Sequence, residues 1–131
     1  MKKGGIHKIL LVDDEPFILK MYKLKLEQCG YAVITAQNGK EAISIVENQH
    51  PDMVLLDIVM NGMDGLTTLK KLKKEDNLKD IPVFMLTNIA NEKDKTEALN
   101  LGADGYYIKT QTNPSDLAKS IEQFSRATIN S

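Results

Sequence analysis

Asp13, Asp14, Asp57, Thr87 and Lys109 carry most of the chemistry this chain offers. They end or follow four short apolar runs, LLVDD, VLLD, FMLT and YYIK. If those runs are parallel strands, all five side chains meet at one edge of a sheet. The result is an acidic pocket with one hydroxyl and one ammonium group. Carboxylates a few Å apart push at least one pKa upward unless a cation joins them. Magnesium suits such a site, because it takes oxygen ligands, keeps several waters and is held by one or two carboxylates together with phosphate oxygens. Lys109 adds a compact positive charge, and Thr87 adds a hydroxyl donor for the same oxygens. An aspartate beside metal, lysine and hydroxyl is a nucleophile toward phosphorus, and Asp57, at the sheet centre, is the candidate acceptor.

The elements that must position these residues alternate along the chain. The run over 8–14 has four consecutive apolar residues, the pattern of a strand buried on both faces. Pro16 opens a helix, Phe17, Met21 and Leu24 fall at helical spacing, and Gly30 stops it. A second strand spans 31–36, and Asn38 with Gly39 opens a helix with Ala42, Ile43 and Val46 inward before His50 and Pro51. The third strand is 52–57. Asp64 then caps a helix packed through Leu66, Leu69 and Leu72. A fourth strand over 83–87 precedes a helix capped by Asn91, with Asp94 in capping-box position and Gly102 past its end. The fifth strand is 106–109, and Pro114 opens a last helix with Leu117, Ile121 and Phe124 inward. Five βα units joined by right-handed crossovers make a three-layer, doubly wound α/β sandwich, with its chemistry at the carboxyl ends of the strands.

Composition narrows the class. At 131 residues, with 42% apolar and 27% charged residues, the chain has the size and make-up of one globular domain, its core about 8–124 between short tails. A net charge of −1 gives no general drive toward nucleic acid or anionic lipid. The lone Cys29 cannot form an internal disulfide, which favours a reducing compartment. The basic start is followed by an apolar stretch cut by Asp13, Asp14 and Glu15, so neither a signal peptide nor a membrane span fits, and a cytoplasmic protein is expected. The lysines at 70, 71, 73 and 74 read as a solvated helix face. His7 and His50 have no neighbour at ligand spacing.

The motifs LLVDDE (10–15), LLDIVMNGMDG (55–65), MLT (85–87) and GADGYYIK (102–109) resemble those of the receiver domain of bacterial two-component response regulators, of the single-domain chemotaxis type. The resemblance covers the chain from Lys8 to Phe124. It implies the flavodoxin-like strand order 2-1-3-4-5 and a phosphorelay role, in which Asp57 takes a phosphoryl group from the phosphohistidine of a histidine kinase or phosphotransfer protein. It further implies direct Mg²⁺ ligation by Asp14, Asp57 and the backbone carbonyl of Val59, with Asp13 acting through water. Thr87 and Lys109 would read the phosphoryl oxygens. Thr87 and Tyr106 would form a switch, the tyrosine ring entering space that the threonine vacates. The implied output is binding of an unknown protein through the fourth helix, fifth strand and fifth helix, by a monomer or weak homodimer without nucleic acid or membrane.

Three positions depart from the family pattern. Asn61 stands where a proline is usual, Asn88 where a small residue is usual, and Thr110 where a cis proline usually follows the lysine. A cis bond without proline costs about 2.5 to 4 kcal/mol, so a trans bond and a reshaped loop over 111–113 are expected, with Lys109 held less rigidly. Val59, Ile89 and Asn88 around Asp57 predict slow self-dephosphorylation. Other functions fit these residues less well. A dehalogenase-type phosphatase would need an acid where Val59 stands, and the acids at 13–15 would repel a flavin phosphate. A receiver-like interaction module that never meets phosphate is the remaining alternative.

Overall fold

Apolar runs such as 9–12, 53–56 and 83–86 must be covered on both faces, and every residue of these three is buried here. The structure, a computed structural model, describes residues 5–130. Its strands are β1 (Lys8–Val12), β2 (Ala32–Ala36), β3 (Met53–Leu56), β4 (Val83–Thr87) and β5 (Gly105–Ile108). They alternate with helices α1 (Pro16–Gln28), α2 (Gly39–Gln49), α3 (Gly65–Lys74), α4 (Glu92–Asn100) and α5 (Pro114–Asn130). All pairings are parallel, in the order β2-β1-β3-β4-β5, the order that the family resemblance implies.

Side-chain alternation along each strand divides the core in two. In β1, Leu10 and Val12 join Ala42 and Val46 of α2, Leu69 and Leu72 of α3 and Ala98 of α4. Ile9 and Leu11 face the other way, against Leu19, Tyr22 and Leu26 of α1 and Leu117 and Ile121 of α5. Each leucine or isoleucine fully buried in this way contributes about 1.5 to 3 kcal/mol. Phe84 joins the α1/α5 side, with its ring centroid 5.2 Å from that of Phe124 and 5.3 Å from that of Tyr107.

Short polar side chains start the helices where the sequence places them. Asn38 Oδ1 accepts from Glu41 N–H, Asp64 Oδ1 from Thr67 N–H and Asn91 Oδ1 from Asp94 N–H, each at 2.8 Å. Each bond satisfies an N–H that has no partner within its helix.

Several features differ from the sequence reading. The strands expected over 8–14, 31–36, 52–57 and 106–109 are Lys8–Val12, Ala32–Ala36, Met53–Leu56 and Gly105–Ile108, so Asp13, Asp14, Asp57 and Lys109 lie just past their strands. Phe17, Met21 and Leu24, at helical spacing, are not the buried stripe of α1, since Phe17 is 76% and Leu24 58% exposed, while Leu19, Tyr22 and Leu26 are buried. Apolar residues lie on more than one side of this helix, so spacing alone cannot fix its rotation. The entry turn fixes it, through Glu15 N–H on Asp13 Oδ1 at 2.9 Å and Leu19 N–H on the Glu15 carbonyl at 3.1 Å. Lys73 also leaves the solvated face. Its ammonium donates to the carbonyls of Lys79 (3.0 Å) and Ile81 (2.9 Å) and lies 3.8 Å from Asp104, closing the connection from α3 into β4.

Candidate metal and phosphoryl site

The ladder runs one residue past β1 and β3. Asp13 N–H bonds the Ala36 carbonyl and Asp57 N–H the Val12 carbonyl, both at 3.1 Å, so the two aspartates stand side by side at the carboxyl edge. That edge is also where the chain reverses from β2 to β3 around β1, the place where ligands bind in open α/β sheets. Thr87 is the last residue of β4, and Lys109 is the first after β5. All five predicted site residues come together there. With Glu15, Val59 and Asn88 they line a cleft of about 260 Å³.

Lys109 is the hub. Its ammonium lies 2.9 Å from Asp57 Oδ2 and 2.5 Å from Asp13 Oδ2. The remaining oxygens are held by backbone: Asp13 Oδ1 accepts from Glu15 N–H and Asp57 Oδ1 from Ile58 N–H, at 2.9 and 2.7 Å. Asp14 Oδ2 accepts from Asn61 N–H at 3.2 Å, a bond that a proline at 61 could not make. Burial pushes the Asp13 carboxyl above its usual value, outweighing the help of Lys109, and the Asp57 charge adds to the rise. Burial alone would lower Lys109, but its bonds to Asp13 and Asp57 together raise it.

One carboxylate oxygen from each of Asp13, Asp14 and Asp57 lies within 4.8 Å of the other two. Three carboxylates against one ammonium leave an excess of negative charge, and every donor is oxygen. The set fits a hard divalent cation. Val59 lines the cleft and is exposed. Ile89 does not flank the cleft as expected, because its side chain packs into the core on the α2–α4 side. Its backbone matters instead: Ile89 N–H bonds Thr87 Oγ1 at 3.3 Å, and its carbonyl accepts from Tyr106 OH at 2.8 Å. The Tyr106 ring is already half-buried against that core.

The loop after Lys109 takes the trans form, with no cis peptide among the described residues, and winds into a 3-10 turn, Lys109–Gln111. Two further residues shape the site without having been singled out in the sequence, Tyr22 and Gly65. Gly65 N–H donates to the Ile58 carbonyl at 2.8 Å, and a Cβ built there would stand 1.9 Å from the Asp57 carbonyl oxygen and 2.7 Å from Ile58 Cα. Both obstacles are backbone. Gly65→Ala is therefore expected to destabilise the protein by about 2 kcal/mol, the range of overpacked sites, and to weaken cation binding by displacing Asp57. Urea unfolding with and without Mg²⁺ measures both effects.

The chain matches the family model of the response regulator receiver domain over residues 9–122. It belongs to that family. It is 40% identical over 123 residues to the probable transcriptional regulator ycf27 of Cyanophora paradoxa, covering 94% of this chain and 50% of that protein. The alkaline phosphatase synthesis transcriptional regulatory protein PhoP of Bacillus subtilis is 41% identical over 102 residues, 78% of this chain and 42% of that protein. This receiver domain thus spans half or less of these two curated relatives. Among solved structures, the Vibrio cholerae chemotaxis protein CheY4 superposes with a TM-score of 0.84 at 31% identity, covering 90% of this chain and 98% of that one. Among the described residues of the receiver domain, no helix is long and apolar enough to cross a membrane.

Proposed function

We propose that this receiver domain takes a phosphoryl group onto Asp57 from the phosphohistidine of a histidine kinase or phosphotransfer protein. A carboxylate oxygen of Asp57 attacks phosphorus, the P–N bond breaks, and its electron pair leaves with the imidazole nitrogen. Asp14, Asp57 and the Val59 carbonyl would hold Mg²⁺, with Asp13 acting through water. Bound there, the ion supplies positive charge opposite the transferring phosphoryl oxygens. Lys109 offers its ammonium to one of those oxygens and Thr87 its hydroxyl to another. The observation that carries the reading is the Lys109 ammonium bridging Asp13 and Asp57 inside a cluster of three carboxylates. The exposed stripe of Phe17, Met21 and Leu24 begins close to the cleft and offers the incoming partner apolar area. The product is a modified signalling domain rather than the product of a turnover enzyme.

The output is a population shift. When Thr87 turns to the phosphoryl group it gives up its bond with Ile89 N–H, and the Tyr106 ring moves into the space that the threonine vacates. The loop between β4 and α4 can then settle differently. Moving such an equilibrium from mostly off to mostly on takes about 5 kcal/mol, and three charge-assisted phosphoryl contacts at about 1.5 to 3 kcal/mol each are enough to supply it. The face formed by α4, β5 and α5 around Tyr106 would present the change to a partner protein.

The test is to phosphorylate the protein with a small-molecule phosphodonor and Mg²⁺, trap the acyl phosphate with borohydride and map the reduced residue. Reduction at Asp57 is expected, and reduction at any other residue overturns the reading. Val59 puts an apolar side chain beside Asp57 and Asn88 adds bulk, so an attacking water is poorly oriented and the label should persist for minutes. Loss within seconds would show that the cleft activates water after all.

A further inference from the structure

Tyr22 lies on the inner face of α1, 2% exposed, and its hydroxyl donates to the Thr112 carbonyl at 3.0 Å, joining residues 90 apart in the chain. Thr112 ends the 3-10 turn that begins at Lys109, and its N–H closes that turn on the Lys109 carbonyl at 3.4 Å. The side chain leaving the same turn reaches Asp57 and Asp13. A continuous path therefore runs from the Tyr22 hydroxyl through Thr112 and the backbone of Lys109 to the ammonium group. Between Lys109 and Asn113 the chain has no proline to stiffen it, and the turn is a single 3-10 element with imperfect hydrogen-bond geometry. A buried phenol needs a partner for its O–H, so the Thr112 carbonyl is held wherever α1 holds Tyr22.

We infer that Tyr22 is a positioning residue for the phosphoryl-reading lysine, clamping the Lys109–Gln111 turn to α1 so that the ammonium stays over Asp57. This inference rests on the phosphoacceptor reading above and adds a residue that touches neither cation nor phosphoryl group. It also ties the placement of Lys109 to the helix that carries Phe17, Met21 and Leu24 on its outer side.

The test is a double-mutant cycle on the receiver domain, read as the affinity for beryllofluoride in saturating Mg²⁺. Tyr22→Phe removes one oxygen and keeps the packed ring, so the fold should survive, which a urea melt checks. The single variant is expected to bind beryllofluoride about fivefold more weakly, the effect of one buried hydrogen bond. In a Lys109→Ala background the same change should weaken binding by less than about twofold, because the group being positioned is gone. An undiminished fivefold loss in that background would make Tyr22 a general packing residue and overturn the inference. So would no loss in the single variant. Failure of the underlying reading looks different: wild-type protein would then bind no beryllofluoride, or would bind it equally well with Asp57→Asn.

Discussion

Asp57→Asn should lower phosphoryl uptake from a small-molecule donor by at least about 10³-fold, the scale seen when a nucleophile is removed. An amide oxygen is a poor nucleophile toward phosphorus and a weaker ligand for a hard cation. The same substitution should change unfolding free energy by less than about 1 kcal/mol in the absence of metal. Asn matches Asp in shape, its side-chain oxygen can still accept from Ile58 N–H, and Lys109 retains Asp13 as a partner. The lost attraction to Lys109 is offset by relief of repulsion among three crowded carboxylates. Loss of uptake with stability intact is therefore the expected pair, read by phosphate labelling and urea melts on one preparation. Wild-type uptake by a folded Asp57→Asn variant would remove Asp57 from the reaction.

Much of this architecture could be read from the chain because its signals are local. Buried parallel strands are apolar without interruption, so β4 begins and ends where the sequence places it, at Val83 and Thr87. Asn38, Asp64 and Asn91 cap their helices through backbone groups three residues away, which a sequence shows directly. Strand ends likewise determine which side chains share the carboxyl edge, so the five site residues followed from strand identification. The rotation of α1 could not be read in that way. Both of its apolar stripes have helical spacing, and the choice between them is made by the turn at Asp13 and by the partner that Tyr22 finds on a loop far along the chain.

The remaining gaps have the same origin. Lys73 sits among exposed lysines, but the carbonyls of Lys79 and Ile81 converge on it only after the chain folds back into β4. Thr110 in place of proline gives no sign of what fixes Lys109, which the 3-10 turn, two carboxylates and Tyr22 hold. Gly65 did leave a trace, since glycine at the start of a helix gives up propensity for no local gain. The explanation is the Asp57 carbonyl, 1.9 Å from where a Cβ would be.

Lys109→Ala should move two measurements in opposite directions. Its ammonium lies at the centre of the carboxylate cluster and is mostly buried, so deletion leaves Asp13 and Asp57 facing each other without compensation. Breaking a buried ion pair from one side costs about 3 to 5 kcal/mol, and the upper part of that range is not expected here because the cleft is open to water. In metal-free buffer the variant should unfold at about 3 kcal/mol lower free energy than wild type. Mg²⁺ should recover much of the loss. A divalent cation entering the variant meets the same carboxylates without a competing positive charge, so it binds more tightly, and native-state ligands stabilise according to concentration over Kd. Mn²⁺ titration followed by electron paramagnetic resonance reads that affinity directly. Beryllofluoride should instead bind about 10- to 100-fold more weakly, because the variant has lost one charge-assisted contact worth about 1.5 to 3 kcal/mol. A generally damaged site would lose affinity for both ligands, and a lysine outside the site would change neither. Only a lysine that competes with the cation for the carboxylates and also binds the phosphoryl oxygens tightens one ligand while weakening the other.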